Sequence, residues 1–94
     1  MVFIINKLKY DTDKMKLISD RCSYSYEKTM FGAIIRYHGK NVKVWESDKG
    51  NWLLTYETDY EICGKKLSEE EAADLLLKYD FERYEEIFGK LEEA

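Results

Sequence analysis

One four-residue stretch, Ser68-Glu69-Glu70-Glu71, constrains this chain more than any other. Ser68 and Glu71 stand three positions apart, immediately ahead of Ala72, Leu75, Leu76 and Tyr79 at helical spacing. In such a capping box the serine hydroxyl accepts the N–H of the third helical residue, and the glutamate reaches back to the N–H of the cap. The early glutamates also suit the positive end of the helix dipole. A helix therefore begins here, and it divides the chain into a longer strand-rich part and an acidic helical end. Asp80 then predicts the cap of a second helix, in which Tyr84, Ile87, Phe88 and Leu91 repeat the apolar stripe and Gly89 weakens or ends it.

Ahead of the box the apolar residues follow other periods. Val2-Phe3-Ile4-Ile5 is strand-like, and Asn6-Lys7 predicts a turn into a short strand at Leu8 to Tyr10. Met15, Leu17, Ile18 and Cys22 give a helix-like stripe, so a short helix is predicted to start near Thr12. Cys22 to Lys28 shows no clear period and reads as a loop. Thr29 to His38 alternates as one strand with Phe31, Ala33, Ile35 and Tyr37 on one side, Gly32 marking a bulge or a close backbone contact. His38 to Asn41 turns the chain into a strand at Val42 to Glu46, with Val44 facing away from Lys43 and Trp45. Ser47-Asp48-Lys49-Gly50 is the strongest turn signal, and Asn51 to Thr58 returns with Trp52, Leu54 and Tyr56 opposite Leu53 and Thr55. Tyr60 to Cys63 suggests a short fourth strand that Gly64 interrupts. These readings amount to an α+β fold: a small antiparallel sheet made of a three-stranded meander plus an N-terminal hairpin, one short N-terminal helix and two C-terminal helices. The 94 residues suffice for a single domain with one core.

The chemistry is sparse. Asp11 and Asp13 flank Thr12, yet no EF-hand spacing or glycine accompanies them, and a helix start needs only a short polar cap followed by an acid. His38 is the only histidine, with no HExxH, G-x-S-x-G or glycine-rich phosphate loop. Cys22 and Cys63 lack the close doublet of a zinc or redox site and read as free thiols of a reducing compartment. No catalytic group, cofactor or metal site follows from these residues, and the expectation is a chain that is not an enzyme. No apolar run approaches the roughly 20 residues of a membrane span, and the opening residues carry no secretory or transit pattern, so the cytoplasm is the expected location. Aromatic and cationic residues at Arg36, Tyr37, Lys43, Trp45 and Tyr56 raise one alternative, a sheet face that stacks single-stranded nucleic acid or a nucleotide.

Charge is unevenly placed. Residues 1–68 hold twelve Lys or Arg against nine Asp or Glu, whereas residues 69–94 hold three against ten. A concentration of acid on helices is either a solvated face or an interaction surface.

The quoted stretches "KYDTDKMKLI", "VWESDKGNWLLTYE", "LSEEEAADLLLKYD" and "YEEIFG" together resemble a group of small proteins of Gram-positive bacteria, their phages and mobile elements. The matching positions are Tyr10-Asp11-Thr12, Lys49-Gly50-Asn51-Trp52, Leu67 to Ala72 and Tyr84 to Gly89. This chain departs from the group's pattern near Asn6, where an Asn-Gly turn is missing, and in a longer stretch between Cys22 and Asn41. The resemblance implies a fold and a genomic setting rather than a catalytic residue. Small acidic proteins of that setting include inhibitors of host defence such as anti-CRISPR proteins. The implied partner is a host defence protein such as a CRISPR effector, within the bacterial host cell. On this reading Glu69, Glu70, Asp74, Glu82, Glu85 and Glu86 imitate a row of phosphates to a basic groove. Exposed aromatics leave room for a homodimer.

Overall fold

The computed structural model describes residues 1–94, which form eight strands, a single 3-10 turn and two helices. The order is β1 (Val2–Ile5), β2 (Leu8–Asp11), the turn Thr12–Lys14, β3 (Lys16–Ser19), β4 (Ser25–Met30), β5 (Ala33–His38), β6 (Lys40–Glu46), β7 (Trp52–Glu57), β8 (Ile62–Leu67), α1 (Glu69–Tyr79) and α2 (Phe81–Phe88). The fold is α+β, and every strand pairing is antiparallel. A four-stranded sheet in the order β3-β6-β7-β8 lies at the centre, and β1-β2 and β4-β5 form two separate hairpins.

β7 occupies an interior position in that sheet, and Trp52, Leu53, Leu54 and Thr55 are all buried. Successive strand residues point to opposite faces, so both faces must be covered. On one face Trp52 and Leu54 join Ile18, Val42, Val44, Leu67, Ala72 and Leu76 in the main core, beneath the two helices. Trp52 stacks on Phe88 of α2 with ring centroids 6.0 Å apart. On the other face the β1-β2 hairpin lies across the sheet and the Phe3 ring rests on Gly64. A Cβ at that glycine would stand 2.7 Å from the ring, so the layer closes only because position 64 has no side chain. The facing read from the sequence for β6 and β7 is the one found.

The N-terminal hairpin forms with Asn6 and Lys7 at its turn, both in the left-handed region (φ 51 and 64). The helix expected from Thr12 does not form. The Asp11 carboxylate accepts the Asp13 N–H at 3.1 Å and caps one 3-10 turn, after which Met15 is extended and Lys16–Ser19 pairs with β6. A register shift between Leu17 and Ser19 explains the misleading stripe. The bulge buries Ile18 and Ser19 consecutively, so an alternating strand shows a helix-like step.

The strand expected over Thr29 to His38 is broken at Phe31-Gly32 into the end of β4 and the whole of β5, and the segment read as a loop from Cys22 to Lys28 holds the start of β4 at Ser25. Phe31 (φ 52) and Gly32 (φ 78) form the hairpin's two-residue turn, the left-handed pair that matches the twist of flanking strands. Gly32 is therefore a turn residue and not a bulge. The meander is consequently β6-β7-β8, with β3 added at the other edge, and β8 runs straight through Gly64 to Leu67.

Both C-terminal helices are present. The capping box is complete, with Glu71 N–H donating to Ser68 Oγ at 3.1 Å and Ser68 N–H donating to Glu71 Oε1 at 3.0 Å. α2 ends at Gly89, so Leu91 falls outside the helix and is exposed, contrary to the predicted stripe. Asp80 stands between the helices, but its side chain makes no cap bond. The hydrogen bond from Ser68 holds the Glu71 carboxyl below its usual range. A depressed carboxyl pKa contributes stability that is complete above the unfolded value and is lost as pH falls through the folded one. Ser68→Ala is expected to cost about 1 kcal/mol near neutral pH. Glu71→Gln, which removes the titrating carboxyl that the Ser68 backbone N–H holds low, should flatten the decline of stability below the unfolded value of 4.5, measured by urea titration across acid pH.

Candidate functional site

Three surfaces carry the residues that could act on another molecule. The first is the outer side of the helices. Glu69 and Glu70 lie in the first turn of α1, and Asp74 follows Glu70 one turn on, so Glu70 and Asp74 share a face with Lys78 next along it. All three acids are exposed, as is Glu82 at the start of α2, and none of the four has an ion-pair partner. Glu85 and Glu86 differ. Glu85 is half-buried and accepts the Leu91 N–H at 2.8 Å, and Glu86 pairs with Arg83. Arg83 in turn donates through Nε to the Ile18 carbonyl at 2.7 Å, tying α2 to the sheet. The six carboxylates are thus four free ones and two engaged in holding the end of the chain.

Beside them lies a recess of about 310 Å³ between β3 and α2, lined by acids and arginines of both signs, among them Asp20, Arg21, Asp80 and Arg83. Its inner wall explains the position of Asp80. Ser19 Oγ–H donates to Asp80 Oδ2 at 2.7 Å, and both residues are buried. The same Ser19 oxygen accepts the Arg21 N–H at 3.2 Å. Asp80 is therefore a strut between sheet and helices, not a surface acid. Nearby Cys22 is a free, buried thiol whose pKa is pushed up by burial, and Cys63 is free and half-buried. His38 closes β5, and its Nδ1 shares a hydrogen bond with the Ser25 hydroxyl at 3.0 Å. No three His, Cys, Asp or Glu side chains are grouped to hold a metal ion.

The second surface concerns the residues considered for nucleic acid, of which the fold brings together only Tyr37 and Tyr56, joined through Tyr26. Lys43 and Trp45 face the layer beneath the N-terminal hairpin, and the Trp45 Nε1–H donates to Thr55 Oγ1 at 2.9 Å. Tyr56 faces the helix side of the same sheet, where it packs against the main core. Arg36 and Tyr37 belong to the β4-β5 hairpin, with the Arg36 guanidinium paired to Glu27 at 3.0 Å. A different aromatic group takes shape instead: Tyr24 and Tyr56 (4.8 Å between centroids), Tyr56 and Tyr26 (5.3 Å), and Tyr26 and Tyr37 (5.5 Å) form a continuous ladder. Lys65 stands over Tyr24 and Lys28 over Tyr26. Burial beside Cys63 pushes the Tyr56 phenol up to about 12, so it stays protonated across the physiological range.

The third surface was not visible in the sequence. Beyond the tyrosine ladder the β4-β5 hairpin stands away from the core as an arm, with Met30, Ile34 and Ile35 exposed and Phe31 fully so at the tip. The signal for it was Phe31-Gly32 placed centrally between two alternating runs.

Removing the strut and removing a free acid should differ sharply. Asp80→Ala leaves the Ser19 hydroxyl buried without its acceptor and is expected to cost about 1–3 kcal/mol by chemical denaturation. Glu82→Ala, two residues away, should stay within about 0.5 kcal/mol. Comparison with protein-family models, curated proteins and solved structures finds no match to this chain.

Proposed function

We propose that this chain is a non-enzymatic binding protein of a phage or mobile element that acts in the bacterial cytoplasm by inhibiting a host defence protein, in the manner of an anti-CRISPR protein. The observation that carries the reading is the set of free carboxylates, Glu69, Glu70, Asp74 and Glu82, on the exposed side of α1 and α2. Fixed on rigid helices with a single lysine among those of α1, they offer a negative surface to a basic groove that otherwise takes nucleic acid. The acidic excess of residues 69–94 and the resemblance to small phage-associated proteins support the same reading. That no helix is long and apolar enough to cross a membrane fits a partner met in solution.

A second reading has its own observation. The ladder of Tyr24, Tyr56, Tyr26 and Tyr37 with Lys28 and Lys65 over its rings is a stacking platform for unpaired bases. The two readings call for opposite charge changes. If the acidic surface acts, Glu70→Lys, Asp74→Lys and Glu82→Lys together should weaken capture of a purified CRISPR effector by at least about tenfold and restore immunity in phage plating, with an unchanged circular dichroism spectrum. Lys28→Glu with Lys65→Glu should then change nothing. If the tyrosine platform acts, that lysine pair should instead abolish binding of a labelled single-stranded oligonucleotide at low salt. Absence of effector capture, together with unaltered plating on immune hosts, overturns the leading reading.

A further inference from the structure

A two-stranded hairpin standing alone is marginal in water, and the arm has both long edges open as well as exposed apolar residues on both sides. The orientation of its backbone groups can be read from the ladder. The Gly39 N–H donates to the Tyr24 carbonyl at 2.9 Å, which marks this pair as hydrogen-bonded. Antiparallel pairs alternate, so the pairs Tyr26↔Tyr37, Lys28↔Ile35 and Met30↔Ala33 also turn their N–H and C=O groups inward. Ile34, Arg36 and His38 therefore point theirs outward along the free edge of β5. Neither proline nor a bulge blunts that edge, and its one charged side chain, Arg36, is paired with Glu27 of β4.

We propose that the arm joins two copies of this chain, β5 against β5, antiparallel about a two-fold axis at Ile35, to make one four-stranded sheet. This proposal stands apart from the identity of any inhibited partner. A two-fold axis normal to a sheet sets like face beside like face, so it must pass through a residue rather than between two. At Ile35 it sets isoleucine against isoleucine, Ala33 against the partner's Tyr37, and Ile34 against the partner's Arg36. Small meets bulky and no like charges meet. The outward groups of Ile34 and Arg36 then satisfy one another across the axis, in the alternation the ladder requires. Phe31, fully exposed in one copy, comes level with the partner's Gly39, at the base of the arm beside the tyrosine ladder. The neighbouring axis through Arg36 opposes two guanidinium groups. Along β4, the central axes oppose Glu27 to Glu27 or Lys28 to Lys28, which sets β5 apart as the pairing edge.

Residues 25–38 are fewer than the roughly 20–30 per side of a standard interface, so a concentration-dependent dimer is expected. Sedimentation of the full chain from low micromolar to several hundred micromolar should show the mass doubling from 11.2 kDa. Arg36→Pro removes one outward N–H of β5, and Glu27→Pro does the same for β4. Both delete the same Arg36–Glu27 ion pair, so they differ only in the edge they block. Arg36→Pro should abolish the dimer and Glu27→Pro should leave it. Ile35→Cys in a Cys63→Ser background should form an interchain disulfide under mild oxidation, because facing residues of a non-hydrogen-bonded pair lie about 4.5 Å apart at Cα. Thr29→Cys in that background should not. A chain monomeric at every concentration with no Ile35→Cys cross-link, as expected if a foreign protein or another surface covers the arm, overturns the proposal. So does a dimer that Glu27→Pro destroys and Arg36→Pro spares. If the proline variants lose the arm altogether, the cysteine pair decides alone.

Discussion

The burial of β7 on both faces is the constraint on which the other elements depend. Leu53 and Leu54 are adjacent in sequence and both are fully buried, which no sheet with one solvated face allows. Each such side chain is worth roughly 1.5–3 kcal/mol relative to exposure, so both covers matter. The helices supply one cover and the N-terminal hairpin the other. Each cover is seated by a small number of specific contacts. Ser19 with Asp80 and Arg83 with the Ile18 carbonyl fix α2, and the missing side chain at Gly64 admits Phe3.

With both faces of the sheet taken, nothing in the chain remains to cover β4-β5. The tyrosine ladder secures only the base of the arm, where Tyr24 and Tyr56 still reach the core. Gly39 makes that junction possible. A Cβ there would stand 2.9 Å from the Tyr56 Cβ, so the chain can leave the arm and enter β6 beside the ring only as glycine. The apolar residues beyond the ladder contribute nothing to the core. Phe31 is left wholly in solvent at a hairpin turn where Asn or Gly would serve the backbone better.

Legibility in the sequence followed the range of the interactions. The capping box at Ser68 and Glu71, the turn at Ser47 to Gly50 and the opposite facing of Leu53 and Leu54 are local, and each could be read from a few neighbours. The strand after Thr12 is not legible because a bulge at Leu17 to Ser19 gives it the spacing of a helix turn. The arm is hidden because Phe31 is a rare residue to hold a positive φ, so Phe31-Gly32 does not announce a turn. The candidate acids divide along the same line. Exposure of Glu70 and Asp74 follows from helical periodicity alone, whereas the engagement of Glu86 depends on Arg83, which is itself directed by a carbonyl 65 residues earlier.

The opening pair of acids and the closing cluster teach the same point about charge. Asp11 and Asp13 read as the start of a helix rather than as ligands, and Asp11 does spend its side chain on a backbone N–H, though in a 3-10 turn. Asp80 looked like a helix cap, yet it is buried and serves a serine from another layer. Glu82, only two residues on, is exposed and unpaired. A count of carboxylates therefore says little about an acidic surface. What matters is which of them the fold has already engaged, and Glu69, Glu70, Asp74 and Glu82 are unengaged on helices whose inner faces are fixed by the core. Their backbone positions are consequently fixed before any partner arrives, so binding costs the rotamer freedom of the exposed carboxylates but little backbone freedom. A flexible acidic tail would offer the same formal charge and pay more entropy to present it.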